Sequence, residues 1–340
     1  MTGSGITTEN GAGSNVKKVL PSHGKTVLTQ LLEDGKIIIV KLNRPEKLNT
    51  MNDEMQRELE RLFDFIENEP SIWVTIITGN SLEPFSDHKI KSFCAGQDLQ
   101  EWLTQTAVDQ RERLLNNPNG FGSLSRRRLS KPVIAAVDGL CLGGGLELLL
   151  NCDLVVATQK SIFGFPEVSR GVIAVQGGIP RLTHLCGRTL ASELLLTGRS
   201  ITTREAYERF RIINKVVKRS DELIPAALEL GGMIIKNSPT AVQLSKLSIL
   251  DTHLRYQKTL LKRDREVELK SLKRRFGGGI EDSTLSIILG DEFDKVFRGD
   301  DFLEGLTSFS EKRPPIWSNP AIRIFEREEG FNKKNGSFKL

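Results

Sequence analysis

Two short β-rich runs, Thr26–Leu32 and Lys36–Leu42, are parted by Glu33-Asp34-Gly35, a pattern that predicts a hairpin. Met55, Leu59, Leu62, Phe63 and Ile66 recur at intervals of three and four residues, which predicts an amphipathic helix over Asn52–Asn68. Ile72–Thr78 and Pro132–Val137 are continuous apolar runs ended by glycine, and Leu154–Ala157 is another; all three read as buried strands. Between them the pattern predicts a long loop over Asn80–Gln97, a helix over Val108–Leu129 and a second helix from about Gly144. From Gln176 onward the spacing is mostly helical, with one strand-like piece at Ile212–Val217. Strands alternating with helices imply parallel βαβ units, hence an α/β fold.

The ends differ in character. Residues 1–24 are rich in Gly, Ser, Thr and Asn and read as a disordered tail; 25–220 form the α/β core, 221–325 a helical region, and 326–340 a flexible tail. No apolar run reaches a membrane span, so no membrane partner is expected. Four cysteines without a CxxC pair and four histidines without ligand spacing argue against a disulfide framework and against a metal site. The net charge of +5 on 340 residues does not by itself point to nucleic acid. Basic residues do cluster at Arg126–Arg128 and along Lys262–Arg275. The second cluster is interleaved with Asp264, Glu266 and Glu268, as on a solvated helix face. A cytoplasmic location is expected, or a peroxisomal one, since Phe338-Lys339-Leu340 faintly echoes a peroxisomal address.

The chemistry concentrates in three segments. In Leu140–Thr158 three glycines open a helix, whose first N–H groups can hold developing negative charge. Glu147 follows among Leu146, Leu148, Leu149 and Leu150. A carboxyl in such a setting needs a reason, and a raised pKa would let it trade protons near neutrality. Glu167, beside Phe163, Phe165 and Pro166, is a second acid in an apolar setting, and two such acids can divide acid and base roles. The third segment is Ser92–Leu99, where Gly96 precedes a helix start that Asp98 can cap. Two glycine turns, each following a strand, could aim two backbone N–H groups at one oxygen. The competing reading of such turns is a dinucleotide or phosphate site, but neither GxGxxG nor a Walker motif is present. Spacing does not decide whether the turns meet.

The blocks KLNRPEKLNTMN (41–52), SFCAGQDL (92–99), KPVIAAVDGLCLGGGLELLLNCDLVVAT (131–158), FGFPEVSRG (163–171), GGIPRL (177–182), LLLTGRSITTREA (194–206) and EGLTSFSEKRPPIW (304–317) occur in the order found in the crotonase superfamily, which the chain resembles. The resemblance implies a spiral of ββα repeats with a C-terminal helical trimerisation region, and a homotrimer or dimer of trimers. It implies an acyl-coenzyme A thioester substrate and no separate cofactor. Its oxyanion hole would be the N–H groups of Gln97 and Gly144, and its two acids Glu147 and Glu167, adding water to an enoyl-CoA. Coenzyme A and substrate contacts would come from Lys47, Leu48, Ala95, Gly96, Asp98, Gly143, Val175, Phe309 and Lys312. A side chain at position 144 would then intrude on the ligand.

The chain departs from the family where Ala174 and Val175 replace Pro and Gly beside the expected water, and where Phe210 or Arg211 replaces a glycine. A double-bond isomerase is the nearest alternative, because one acid suffices for that reaction. An RNA-binding or scaffold protein reusing the fold is the alternative of a different class, and its feature would be the two basic clusters. Intact acids and glycine turns favour the enzyme.

Overall fold

The computed structural model describes residues 24–81, 91–102, 107–237, 239, 242, 243, 245–247, 249, 250 and 300–314. Nearly all of the tail at 1–24, the tail at 326–340, the basic run Lys262–Arg275 and most of the helical region beyond Asn237 lie outside the described residues.

The hairpin forms as expected. β1 (Val27–Leu32) and β2 (Ile37–Leu42) pair antiparallel from Val27↔Leu42 to Leu32↔Ile37. β3 (Val74–Gly79), β5 (Val133–Val137), β7 (Leu154–Thr158) and β10 (Lys215–Val217) extend the sheet in parallel, giving the order β1-β2-β3-β5-β7-β10. These β-branched runs bury both faces, as a covered parallel sheet requires. The period of two sorts them. After α5 (Gly178–Thr197) and α6 (Thr203–Glu208) comes α7 (Leu223–Ile235); Ile37, Ile39, Val74, Ile76, Ile134, Ala136 and Val156 face it, and its Leu223, Ala226 and Ala227 complete that core. Ile38, Val40, Ile77, Ala135, Val137 and Ala157 join the larger core on the other side, with Met55, Leu59, Leu62, Phe63 and Ile66 of α1 (Asp53–Asn68). Asn52 caps α1 by accepting from the Met55 N–H.

A second sheet, order β4-β6-β8-β9, is absent from the pattern-based expectations. Its strands are three residues each: β4 (Ser92–Cys94), β6 (Leu140–Leu142), β8 (Ile162–Gly164) and β9 (Ser200–Thr202). No alternation is legible over so few positions. β4, β6 and β8 run parallel, and β9 closes the edge antiparallel. Three times among the described residues the chain passes from a large-sheet strand to a small-sheet strand and into a helix or helical turn: β3 to β4, β5 to β6, β7 to β8. This is the ββα spiral that the family resemblance implied and periodicity alone did not yield.

Two further expectations are corrected. The helix expected over Val108–Leu129 is α3 (Ala107–Asn116) alone. Pro118 lies just beyond it, Gly120 stands at φ +70°, and a 3-10 turn over Phe121–Ser123 follows. The apolar spacing continues past Asn116 because Phe121, Leu124 and Leu129 are buried in the core without belonging to an α-helix. Ile212–Val217 shortens to β10, and the residue that takes the left-handed conformation in place of a glycine is Arg211, at φ +58°.

Candidate active site

The three segments carrying the chemistry leave the same end of the small sheet. Ala95-Gly96-Gln97 follows β4, Gly143-Gly144 follows β6, and Phe165-Pro166-Glu167 follows β8. Because β4, β6 and β8 are parallel neighbours, their carboxyl ends bring these turns side by side. That edge is where open α/β sheets bind ligands.

The two glycine turns touch. Gly96 stands at φ +99°, and a Cβ built on it would lie 3.3 Å from the Leu142 carbonyl oxygen and 3.6 Å from the Gly144 nitrogen. Met51 fixes the first turn from behind. Its N–H donates to the Gly96 carbonyl at 2.8 Å, and its carbonyl accepts from the Asp98 N–H at 2.9 Å. In this parallel bridge the intervening Gln97 turns its N–H away from Met51. Gly144 is the first residue of α4 (Gly144–Leu149), where an N–H has no acceptor within the helix. With only six residues α4 sums few peptide dipoles, so the local N–H rather than a macrodipole carries the polarity.

The expected reason for glycine at 144 is corrected. A Cβ there would sit 2.5 Å from two carbons of the Phe121 ring, which is only 2% exposed. Core packing, rather than the ligand side, denies this position a side chain.

Glu147 is 3% exposed on α4. Its Oε1 accepts from the Gln176 N–H at 2.7 Å and from the Gly178 N–H at 3.0 Å. Burial pushes its carboxyl up to about 7; the two N–H donors and the charges of Arg181 and Arg126 hold it from going higher. Glu167 lies in a 3-10 turn, Pro166–Arg170, opened by a proline and closed by Gly171 in the left-handed region. Its Oε2 is buried without a hydrogen-bond partner. Burial and then the Glu147 charge push it up to about 8. Gly143, at φ +53°, links the two: a Cβ on it would come within 3.1 Å of Glu167 Oε1, and its carbonyl accepts from the Glu147 N–H at 3.0 Å.

The remaining candidates divide. The Ala95 N–H donates to the Leu48 carbonyl at 3.1 Å, so the turn after β2, with Lys47 exposed, is tied to the Gly96 turn. Asp98 is committed elsewhere: its Oδ2 pairs with Arg44 at 2.9 Å, and its Oδ1 accepts from the Gln100 N–H at 3.2 Å at the start of α2 (Leu99–Trp102). Val175, 4% exposed, packs with Leu114, Val172 and Leu306. Val175 is flanked by the donor, for the N–H that meets Glu147 belongs to Gln176. Phe309, on α8 (Asp300–Ser310), lies under the Arg170 guanidinium at 4.7 Å, and Lys312 is exposed just past the helix. α8 presses on the turn bearing Glu167 so closely that a Cβ on Gly305 would strike the Arg170 carbonyl.

Sequence reasoning passed over Gln176, Gly178 and Phe121. The Gly177-Gly178 pair was the available signal for the first two; nothing local marks Phe121. In the basic cluster Arg126–Arg128, the feature of the RNA-binding alternative, Arg126 and Arg127 are 2% and 8% exposed, with Arg127 paired to Asp64, while Arg128 is exposed. The first two are interior supports and present no surface to a polyanion. All four cysteines are free, and no cluster of metal-ligating side chains occurs among the described residues. No described helix is long and apolar enough to cross a membrane.

A family model described as enoyl-CoA hydratase/isomerase matches residues 33–320. The mevalonyl-coenzyme A hydratase sidH of Aspergillus fumigatus is 36% identical over 281 residues, covering 83% of this chain and 91% of that protein. The short-chain-enoyl-CoA hydratase of Clostridium acetobutylicum is 37% identical over 219 residues, 64% of this chain and 79% of that one. The crystal structure of carnitinyl-CoA hydratase from Mycobacterium avium superposes with a TM-score of 0.64 at 32% identity, over 86% of this chain and 98% of that one.

Proposed function

Since the chain belongs to the enoyl-CoA hydratase/isomerase family, we infer that it is an acyl-CoA hydratase, a lyase that adds water across the 2,3 double bond of an enoyl-CoA thioester. The observation that carries the residue roles is the unequal setting of the two acids. Glu147 meets two N–H donors and loses its proton first; Glu167 has an unmet oxygen, feels the Glu147 charge and keeps its proton longer. Near neutrality the pair therefore holds one proton, placed on Glu167.

Glu147 takes a proton from water as its oxygen bonds to C3. The electron pair of the double bond moves through C2 onto the thioester oxygen, where the N–H groups of Gln97 and Gly144 receive the charge. The enolate then collapses, and C2 takes the proton of Glu167. Water is added with no charge left over, and proton exchange returns the pair to its starting state. Lys47 and Lys312 are the cations suited to the coenzyme phosphates, Leu48 and Ala95 border the thioester end, and Phe309 lies along its approach. A homotrimer or dimer of trimers belongs to the same reading, supported by exposed Leu196, Met233 and Ile249. The cytoplasmic or peroxisomal location rests on the sequence pattern.

The test is incubation of the full chain with crotonyl-CoA, following loss of the enoyl absorbance and the product mass. A gain of one water is expected. Consumption of longer enoyl thioesters at unchanged mass would replace hydration by double-bond isomerisation, and no reaction with any enoyl-CoA would overturn the reading.

A further inference from the structure

The start of α4, which carries the Gly144 N–H, is gripped by two neighbours. One is β4: a Cβ on Gly145 would strike the Cys94 carbonyl and lie 2.9 Å from the Cys94 Cβ. The other is the Phe121 ring, 2.5 Å from where a Gly144 Cβ would lie. β4 is fixed by its pairing with β6. Phe121 belongs to neither sheet. It sits in the 3-10 turn Phe121–Ser123, so whatever holds that turn bears on where Gly144 lies.

The turn is not one the chain adopts freely. Gly120 stands at φ +70°, Gly122 at +60° and Ser123 at +51°. Ser123 is fully buried and carries a side chain, so its left-handed backbone is strained and persists only where neighbours over-determine it. Gln56 on α1 supplies that determination. Its Nε2 donates to the Gly120 carbonyl at 3.0 Å and to Ser123 Oγ at 2.8 Å, and its Oε1 accepts from the Gly122 N–H at 2.8 Å. Ser123 Oγ donates back to the Gln56 carbonyl at 3.3 Å. One amide thus meets all three residues that stand in the left-handed region. Asn117 and Arg127 support the ends of the turn, at the Gly120 and Ser123 carbonyls.

The same turn reaches both halves of the proposed oxyanion hole. Phe121 bears on Gly144. A Cβ on Gly122 would lie 2.5 Å from Leu148 Cδ1, one helical turn along α4, and 3.2 Å from Met51 Cε. Met51 is the residue whose N–H and carbonyl hold the turn carrying Gln97. We propose that Gln56 is a positioning residue: through the Phe121–Ser123 turn it sets the aim of the Gly144 N–H relative to that of Gln97. This rests on the oxyanion hole of the hydratase reading. Gln56 acts through Phe121 and does not itself donate to the thioester.

The probe is butanoyl-CoA carrying carbon-13 at the thioester carbonyl, which lacks the double bond and is not hydrated. Its carbonyl stretch, read by isotope-edited infrared spectroscopy, falls when the oxygen accepts strong hydrogen bonds. Bound to the wild type, it should lie below the value of the free thioester in water. In Gln56→Met, which keeps the length and loses the amide, the stretch should return part of the way. There kcat on crotonyl-CoA should fall about ten- to hundredfold with KM little changed, as for a donor misaimed rather than deleted. Gln56→Glu, which keeps an acceptor for the Gly122 N–H, should fall between Gln56→Met and the wild type in both readings. Ser123→Ala removes the hydroxyl partner and should move both the same way by less. Ile76→Ala, which weakens the scaffold alone, should keep the wild-type stretch. Circular dichroism checks folding throughout. A folded Gln56→Met with the wild-type stretch, whatever its kcat, would overturn the proposal, as would an equal shift in Ile76→Ala. If Gln56→Met does not fold, Ser123→Ala decides by the same reading. A wild type that binds the probe with the stretch of the free thioester would instead remove the hole itself, and the role of Gln56 with it.

Discussion

The two sheets handle polar groups in opposite ways. In the large sheet the strands are five or six residues long except at the β10 edge, and both faces are filled by β-branched and alanine side chains. Its polar side chains are mostly met, as where Thr78 Oγ1 donates to the Ala136 carbonyl at 2.8 Å; Thr75 Oγ1 is the exception. The small sheet has strands of three residues and a register irregularity between Ser92 and Cys94. Around the ends of its parallel strands lie a nearly dry glutamate, a second with an unmet oxygen, and two glutamine amides with an unmet atom each. A protein does not leave such groups without a reason. The large sheet is built to be stable, and the small one gathers the groups to which the proposed function assigns charge and protons.

If that division is right, damage to the two sheets should be read by different instruments. The largest effect is expected at the acids: Glu147→Gln and Glu167→Gln should each slow hydration by about 10² to 10⁴, the range for a positioned acid or base, while both variants stay folded by circular dichroism. Turnover lost only in Glu147→Gln would favour a one-acid isomerase, and no loss in either would remove both from the mechanism. Next comes the scaffold. Ile76→Ala, at a fully buried position facing α7, should cost about 2–5 kcal/mol of stability in denaturant titration. The kcat of the folded fraction should hardly change; a large change would mean that the sheets are not separable.

Gln97→Pro deletes one N–H of the proposed hole and should lower kcat by about 10² to 10³. Gln97→Ala keeps that N–H and should retain most of the turnover on crotonyl-CoA. Equal rates for the two would take Gln97 out of the hole and leave its turn as the start of α2.

The mildest test is pH. In the roles proposed here hydration needs Glu147 ionised and Glu167 protonated, so kcat/KM should fall below about 7 and again above about 8. A plateau extending well into alkaline pH would exclude Glu167 as the acid. Stability has a definite sign here. Both carboxyls titrate above their ordinary 4.5, so the folded chain holds protons that the unfolded chain has released. Their stabilising contribution is complete below about 4.5 and is lost as pH rises through about 7 and 8. Glu167→Gln should therefore melt higher than the wild type in alkaline buffer, and the gap should close in acid.

The large sheet, α1 and the acids in apolar settings were legible in the sequence, for one physical reason: a two-residue or 3.6-residue period imposed by a buried face is written into every such element. Glu147 among four leucines announced itself in the same way. The small sheet left no period, because each of its strands has three residues. The end of α3 was hidden because Phe121 and Leu124 continue the apolar spacing while packing as a turn. Only the tertiary structure decided that Gly96 meets Gly144, that Glu147 is held by N–H groups about thirty residues further on, and that Phe121 keeps position 144 bare. These are contacts between segments far apart in sequence. Side-chain type and spacing record how each segment meets its own surroundings, whereas the approach of one backbone to another depends on how the sheets stack.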